Sequence, residues 1–254
     1  MTIDHNAWLS QPLRIRDRIG ALVVGVGLLM PVYNITARIA ASGDSPPRTL
    51  PVFIDDLIGL HPWSMLIYGG LYLQAFAPLM LMQDRRVLVR SALAYTALVL
   101  SGVPLWLLWP VTVPRSPVPV EDLFTWGLAL MRWLDPPTNC FPSMHVAESF
   151  LAALVIRRLD RVLGQAMLVS AVLIWWSTMA LAQHWFVDGL AGLLIAVAVD
   201  HLAFGRRPLP ASALQCAPRS RMVWALGIYL LMFLAMALPW WTGWLTPADI
   251  AREW

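Results

Sequence analysis

His184 and Asp188 stand four residues apart in Ser177-Thr178-Met179-Ala180-Leu181-Ala182-Gln183-His184-Trp185-Phe186-Val187-Asp188, within a sequence that is otherwise largely apolar. On a helix this spacing puts a carboxylate on the histidine's face, where it fixes the imidazole tautomer and raises ring basicity. A second histidine closes Phe141-Pro142-Ser143-Met144-His145. Ionisable groups are costly near lipid and persist there for a task or a partner. Two imidazoles and one carboxylate supply a nucleophile, its orienting partner and a general acid–base. The plainer alternative is a satisfied buried pair.

The chain around them has 254 residues, 59% hydrophobic and 13% charged, with a mean hydropathy of +0.64. Soluble domains carry about 25% charged residues, so the composition is that of a membrane protein. All eighteen basic residues are arginine, which excludes a lysine Schiff base or a lysine phosphate clamp. The net charge of +3 is spread over short loops, not gathered into a patch, and no nucleic-acid partner is expected.

Seven apolar segments are predicted as spans: 19–39, 63–82, 91–111, 143–156, 162–183, 186–204 and 222–244. Six approach the roughly 20 residues a bilayer requires. The fourth, with fourteen, has the length of a re-entrant or buried helix, but the charged Arg157-Arg158-Leu159-Asp160-Arg161 that follows marks a tight hairpin at a membrane face. The first is too long for a cleaved signal peptide and contains Arg38.

With the N-terminus cytoplasmic, thirteen arginines fall inside: Arg14, Arg16, Arg18, Arg85, Arg86, Arg90, Arg157, Arg158, Arg161, Arg206, Arg207, Arg219 and Arg221. Five fall outside or near the outer end of the first span: Arg38, Arg48, Arg115, Arg132 and Arg252. This is the positive-inside pattern, with the acidic Asp44, Asp55, Asp56, Glu121, Asp122 and Asp135 outside. Cys140 and Cys216 then lie on opposite sides of the bilayer and are expected as free thiols. The outer loop at 112–142 is broken by prolines, but 120–134 has the pattern of a short amphipathic helix on the interface.

This topology brings four span ends to one outer face, carrying Arg115, His145, His184 and Asp188. The opening amides of the fourth helix add an anion site, and the whole reads as a phosphate pocket. Other polar residues have simpler readings. Glu148 is expected to satisfy an interhelical hydrogen bond, Asp200 and His201 to form an interfacial pair, His61 to open a span, and Cys140 to be a bystander. Arg115 suits a phosphate ligand and an interfacial anchor equally.

Pro142-Ser143-Met144-His145 followed by Ser177-Thr178, five residues, His184, three residues and Asp188 resembles the second and third motifs of the type 2 phosphatidic acid phosphatase superfamily. Those motifs are usually Pro-Ser-Gly-His and Ser-Arg, five residues, His, three residues, Asp. The first motif, Lys, six residues, Arg-Pro, is reduced to Pro114-Arg115-Ser116-Pro117. The likeness runs from about 115 to 204. Met144 and Thr178 in place of glycine and arginine look like the inositol phosphorylceramide synthase-like branch, which moves phosphoryl head groups between lipids. The missing lysine and arginine also fit an impaired enzyme.

The resemblance implies an all-α integral membrane fold: a six-helix phosphatidic acid phosphatase-type core plus a seventh C-terminal helix, one domain over 1–254 with its catalytic core at about 91–204. By the same resemblance His184 is the nucleophile, Asp188 orients it, and His145 protonates the leaving oxygen. Arg115, Ser143, Ser177 and Thr178 hold phosphate. No metal or cofactor is expected. The implied substrate is a lipid entering from the outer leaflet of an inner or plasma membrane, at an extracytoplasmic site. Transferase and hydrolase (of lipid phosphates or polyprenyl pyrophosphates) both remain open, as does a non-catalytic scaffold or transporter.

Overall fold

The computed structural model describes residues 9, 11–43, 46–135, 137–205, 209 and 219–243. Asp44, Pro136, Arg206, Arg207, Cys216, Arg252 and the end of the seventh predicted span lie outside the described residues, as do the side chains of Arg219 and Arg221. The elements are helices α1 (Ile15–Ala41), α2 (Phe53–Ile58), α3 (Met65–Leu81, entered through a tight turn at Pro62–Ser64), α4 (Arg85–Leu108), α5 (Leu123–Leu134), α6 (Met144–Leu159), α7 (Arg161–Ala180), α8 (Phe186–Phe204) and α9 (Arg219–Thr242).

Among the described residues, five helices are long and apolar enough to cross a membrane: α1, α3 with its entry turn, α4, α7 and α8. The fourth predicted span is α6, at 16 residues shorter than the others. Its neighbours explain this. Val146, Ala147, Leu151, Ala152, Ala153, Val155 and Ile156 are fully buried, so α6 is sheathed by α3, α4, α7 and α8 and need not match the bilayer by itself. The C-terminal helix α9, 24 residues long, includes the apolar stretch Tyr229–Thr242. Among the described residues the membrane part thus comprises five candidate spans, the enclosed α6 and the C-terminal α9.

Side-chain caps set the helix starts, each worth about 1 kcal/mol. Asp84 accepts the amides of Arg86 and Val87 at α4, and Asp122 accepts that of Thr125 at α5. Asp160 accepts the Leu163 amide at α7 while its own N–H closes α6 on the Ile156 carbonyl, which makes the predicted hairpin. The amphipathic pattern at 120–134 becomes α5, its Trp126, Gly127, Leu128 and Met131 turned inward.

Glycines allow the backbones to touch. A Cβ on Gly164 would lie 2.2 Å from the Arg157 Cα, and one on Gly192 would lie 2.4 Å from the Ser143 carbonyl oxygen. The hairpin and the α6–α8 contact thus need glycine at these two places.

The arginine-rich end is tied by charge. Arg85 pairs with Asp17 at 2.5 Å. Arg158 grips Asp200 with two nitrogens at 2.6 and 3.1 Å. Asp200 therefore pairs across helices and not with His201, which is exposed. At the other end His61 opens α3 as expected, donating its N–H to the Ala180 carbonyl and stacking on Trp176.

Candidate active site

His145 sits in the first turn of α6, behind the capping Ser143. His184 is not on a helix with Asp188, contrary to the sequence reading. It lies in the turn between α7 and α8, because α7 ends at Ala180 and Ala182 takes φ 52°. The amides of Gln183 and His184 both return to the Thr178 carbonyl. Asp188 is in the first turn of α8, where one carboxylate oxygen accepts the Trp185 N–H at 2.8 Å. That oxygen is 3.6 Å from His184 Nδ1, close enough for charge stabilisation but beyond a hydrogen bond. The other oxygen is buried with no partner among the described residues.

The two imidazoles meet, His145 Nδ1 standing 2.9 Å from His184 Nε2. His184 Nδ1 is 2.9 Å from the Cys140 carbonyl. A carbonyl only accepts, so Nδ1 carries the proton and Nε2 of the neutral ring holds the lone pair. His145 Nδ1–H then donates to that lone pair, and His145 Nε2 accepts from the Tyr68 hydroxyl at 3.0 Å. One backbone carbonyl thus sets the tautomers of both rings.

Sequence reasoning missed the partners of His145. Tyr68 comes from α3. Asp135, at the end of α5, brings a carboxylate oxygen to 4.0 Å from Nε2 and accepts the Tyr33 hydroxyl of α1 at 3.2 Å. None of these carries a spacing signal; only the acidic, aromatic-rich outer segments hint at them.

Arg115 lies at this end but does not touch either imidazole by hydrogen bond. Its guanidinium donates to the carbonyls of Asp135 (2.8 Å) and Arg132 (3.4 Å) and to Gln183 Oε1 (2.6 Å). Arg132, read from sequence only as the end of the amphipathic helix, donates to the carbonyls of Ser116 and Leu181. Burial, and then the charge of Arg115, pull its pKa down to about 10. Each guanidinium keeps a buried Nε with no partner among the described residues. Two crowded cations with spare donors suit an anion.

The hydroxyls are less available than expected. Ser177 donates to the Ile174 carbonyl and Thr178 to the Trp175 carbonyl, each at 2.7 Å within α7. Ser143 accepts the Val146 amide, and its backbone N–H reaches the Asp188 carbonyl at 3.0 Å. These residues frame the two histidines from α6 and α7.

Cys140, His184 and Asp188 bring potential metal-ligating atoms within 4.8 Å of one another. The donor set fits a metal poorly. Burial, and then the Asp188 charge, push the Cys140 thiol far above its ordinary range, and its Sγ–H faces the carbonyls of Pro137 and Gln183. Metal ligation needs the thiolate.

Glu148 departs from its expected role. Its backbone carbonyl accepts the Tyr95 hydroxyl, while its carboxyl makes no hydrogen bond among the described residues and faces a cavity that His145 also lines.

Residues 108–208 match the model of the PAP2 superfamily. This segment contains Arg115, Arg132, both histidines and Asp188. A relative, an uncharacterized protein of Methanocaldococcus jannaschii, is 30% identical over 141 residues, which is 54% of this chain. The chain spans about half of that relative's length, 55%. No solved structure gives a significant match.

Proposed function

We propose that this protein is a membrane phosphotransferase that moves a phosphoryl or phospho-head group of a lipid through a phosphohistidine at His184, without a metal. The observation that carries the reading is the 2.9 Å approach of His184 Nδ1 to the Cys140 carbonyl; because a carbonyl only accepts, it assigns the proton to Nδ1 and leaves Nε2 as a neutral nucleophile. In the first step Nε2 forms a bond to phosphorus as the bond to the leaving lipid oxygen breaks; His145 acts in its imidazolium form, delivers its Nε2 proton to that oxygen and is left as the neutral ring. Asp188 balances the positive charge of the phosphorylated ring. In the second step His145 takes the proton of an incoming alcohol or water as its oxygen displaces His184 from phosphorus. Arg115 and Arg132 neutralise the phosphoryl oxygens, aided by the positive start of α6 at Ser143.

Arginine distribution supports a cytoplasmic N-terminus and an extracytoplasmic site. Met144 and Thr178 at the two motif positions favour the inositol phosphorylceramide synthase-like branch and transfer over simple hydrolysis. Brief incubation with phosphatidate labelled in its phosphate, then alkaline quench, should leave an acid-labile, base-stable label on the peptide that contains His184. A chain that binds the lipid but never takes up label or turns it over would be a scaffold, and the proposal would be wrong.

A further inference from the structure

Two apolar cavities converge on His145. One, of about 430 Å³, lies toward the site end between α1, α3, α5 and α9, with Asn34 and Asp135 among its lining. The other, of about 210 Å³, runs between α1, α3, α4 and α6 from His145 down to Leu79 and Leu88, near the arginine-rich end. Tyr33, Tyr72 and His145 line both. The deeper cavity has a nearly uniform hydrocarbon wall, and Glu148, one turn from His145 on α6, puts a carboxyl into it.

The Glu148 carboxyl is half-buried, and among the described residues it has no hydrogen-bond partner; a carboxyl drawn out of water in this way costs free energy unless a ligand supplies one. Here the carboxyl lies beside the group that must take a proton from any acceptor. A long apolar chain ending in a hydroxyl satisfies the whole cavity: the chain meets the hydrocarbon wall, and the hydroxyl meets Glu148 and His145. Water would satisfy the carboxyl and leave the rest of the cavity unfilled.

We infer that the deeper cavity is the binding site for the acceptor, a long-chain lipid alcohol whose hydroxyl is recognised by Glu148, while the cavity of twice the volume takes the bulkier donor. This rests on phosphoryl transfer at His184. The acceptor O–H proton passes to His145 Nε2, the acceptor oxygen bonds to phosphorus, and the P–Nε2 bond to His184 breaks, its electron pair returning to the ring. Glu148 orients the hydroxyl and takes no part in the bond changes.

Two readouts keep this apart from the parent proposal. The first needs no turnover: hexadecanol carrying a chain diazirine is photolysed with the full-length protein in nanodiscs, with the matching diazirine alkane as control. The alcohol should label α1, α4 and α6 peptides bordering the deeper cavity, in wild type and in His184→Ala alike. Glu148→Leu should cut its labelling about tenfold, the order expected for a lost buried polar contact, and leave the alkane unaffected. The second readout is the ratio of transfer to hydrolysis from labelled phosphatidate with hexadecanol present. Glu148→Gln and Ala92→Phe, which respectively alter the carboxyl and fill the cavity, should each lower that ratio about tenfold. Equal labelling by alcohol and alkane, or labelling that Glu148→Leu leaves unchanged, would overturn the acceptor site whatever the enzyme does. A ratio unchanged in both variants would do the same, whereas a phosphorylated protein lacking label at His184 would sink the parent reading alone.

Discussion

His145 Nδ1 and His184 Nε2 are hydrogen-bonded at 2.9 Å, so the atom best suited to attack phosphorus is occupied by its own catalytic partner. A phosphorus atom cannot enter between nitrogens at that distance. The rings must part on binding, exchanging a bond worth about 1 kcal/mol for contacts to phosphate. The same contact keeps the lone pair of Nε2 covered when no substrate is present.

Replacing His184 by Ala should abolish both turnover and the phosphoenzyme. His145→Ala should slow a natural lipid donor by about 10²–10⁴-fold, the usual worth of a general acid–base. With a nitrophenyl phosphate, whose leaving group needs no proton, His145→Ala should recover much of that loss and His184→Ala none. Steady-state rates on the two donors check this, with size-exclusion profiles to confirm intact folding.

Asp188→Asn should cost roughly 10²-fold or more in rate, as mispositioning a catalytic histidine does. The carboxylate also accepts the Trp185 amide at the start of α8. Asn keeps an oxygen that can accept the same bond, so Tm should change by less than the loss of a cap worth roughly 1 kcal/mol would cause. A drop in Tm with a wild-type rate would leave Asp188 a structural residue only.

Vanadate or inorganic phosphate should raise the Tm of the wild-type protein, and Arg132→Gln should weaken that effect about tenfold in ligand concentration. The sign follows from the depressed pKa of Arg132, which means that its charge opposes folding at neutral pH until an anion answers it. Chelation by EDTA should leave turnover unchanged. Inhibition reversed by a single divalent ion would restore Cys140, His184 and Asp188 as a metal site.

Alkaline pH should destabilise the fold through Cys140. Its folded pKa is raised by burial, so its contribution to stability is complete below the unfolded thiol's pKa of about 8.5. Above that the unfolded chain loses a proton that the folded chain keeps, and stability falls by up to about 1.4 kcal/mol per pH unit. Cys140→Ala should flatten the Tm–pH curve over pH 8–10, and maleimide should label Cys140 only after denaturation.

Asp55→Ala should loosen the start of α8. Its carboxylate accepts the Phe186 amide at 2.7 Å, fastening the short α2 to the segment that carries His184. A loss of about 1–2 kcal/mol in stability is expected, with KM altered less than kcat, because His184 moves more than the lipid cavities do.

The spans, the charged hairpin, the surface helix and the two-histidine motif were legible because each has a period, a charge bias or a fixed spacing. The predicted spans at 162–183 and 186–204 already leave His184 between helices, but the turn at Ala182 with φ 52° was not legible, since Ala182 and Gln183 carry no glycine or proline to announce it. The carbonyl of Cys140 acts through backbone, which side-chain chemistry cannot reveal. Tyr33, Tyr68, Arg132 and Asp135 converge from α1, α3 and α5, and only tertiary packing could join them. Glu148 misled for the opposite reason: a lone acid on a buried helix suggests a partner, and here it faces a cavity.

The close approach of Gly192 to the Ser143 carbonyl bears on the chemistry through distance alone. Ser143 begins the helix of His145, and Gly192 stands one turn beyond Asp188 on the helix that His184 leads into. One methyl group at Gly192 would act as a shim, prying α6 from α8 beside both imidazoles. The gap between nucleophile and proton donor is therefore gauged by a side chain of zero length, and Gly192→Ala should dim catalysis without altering any group that touches the phosphate.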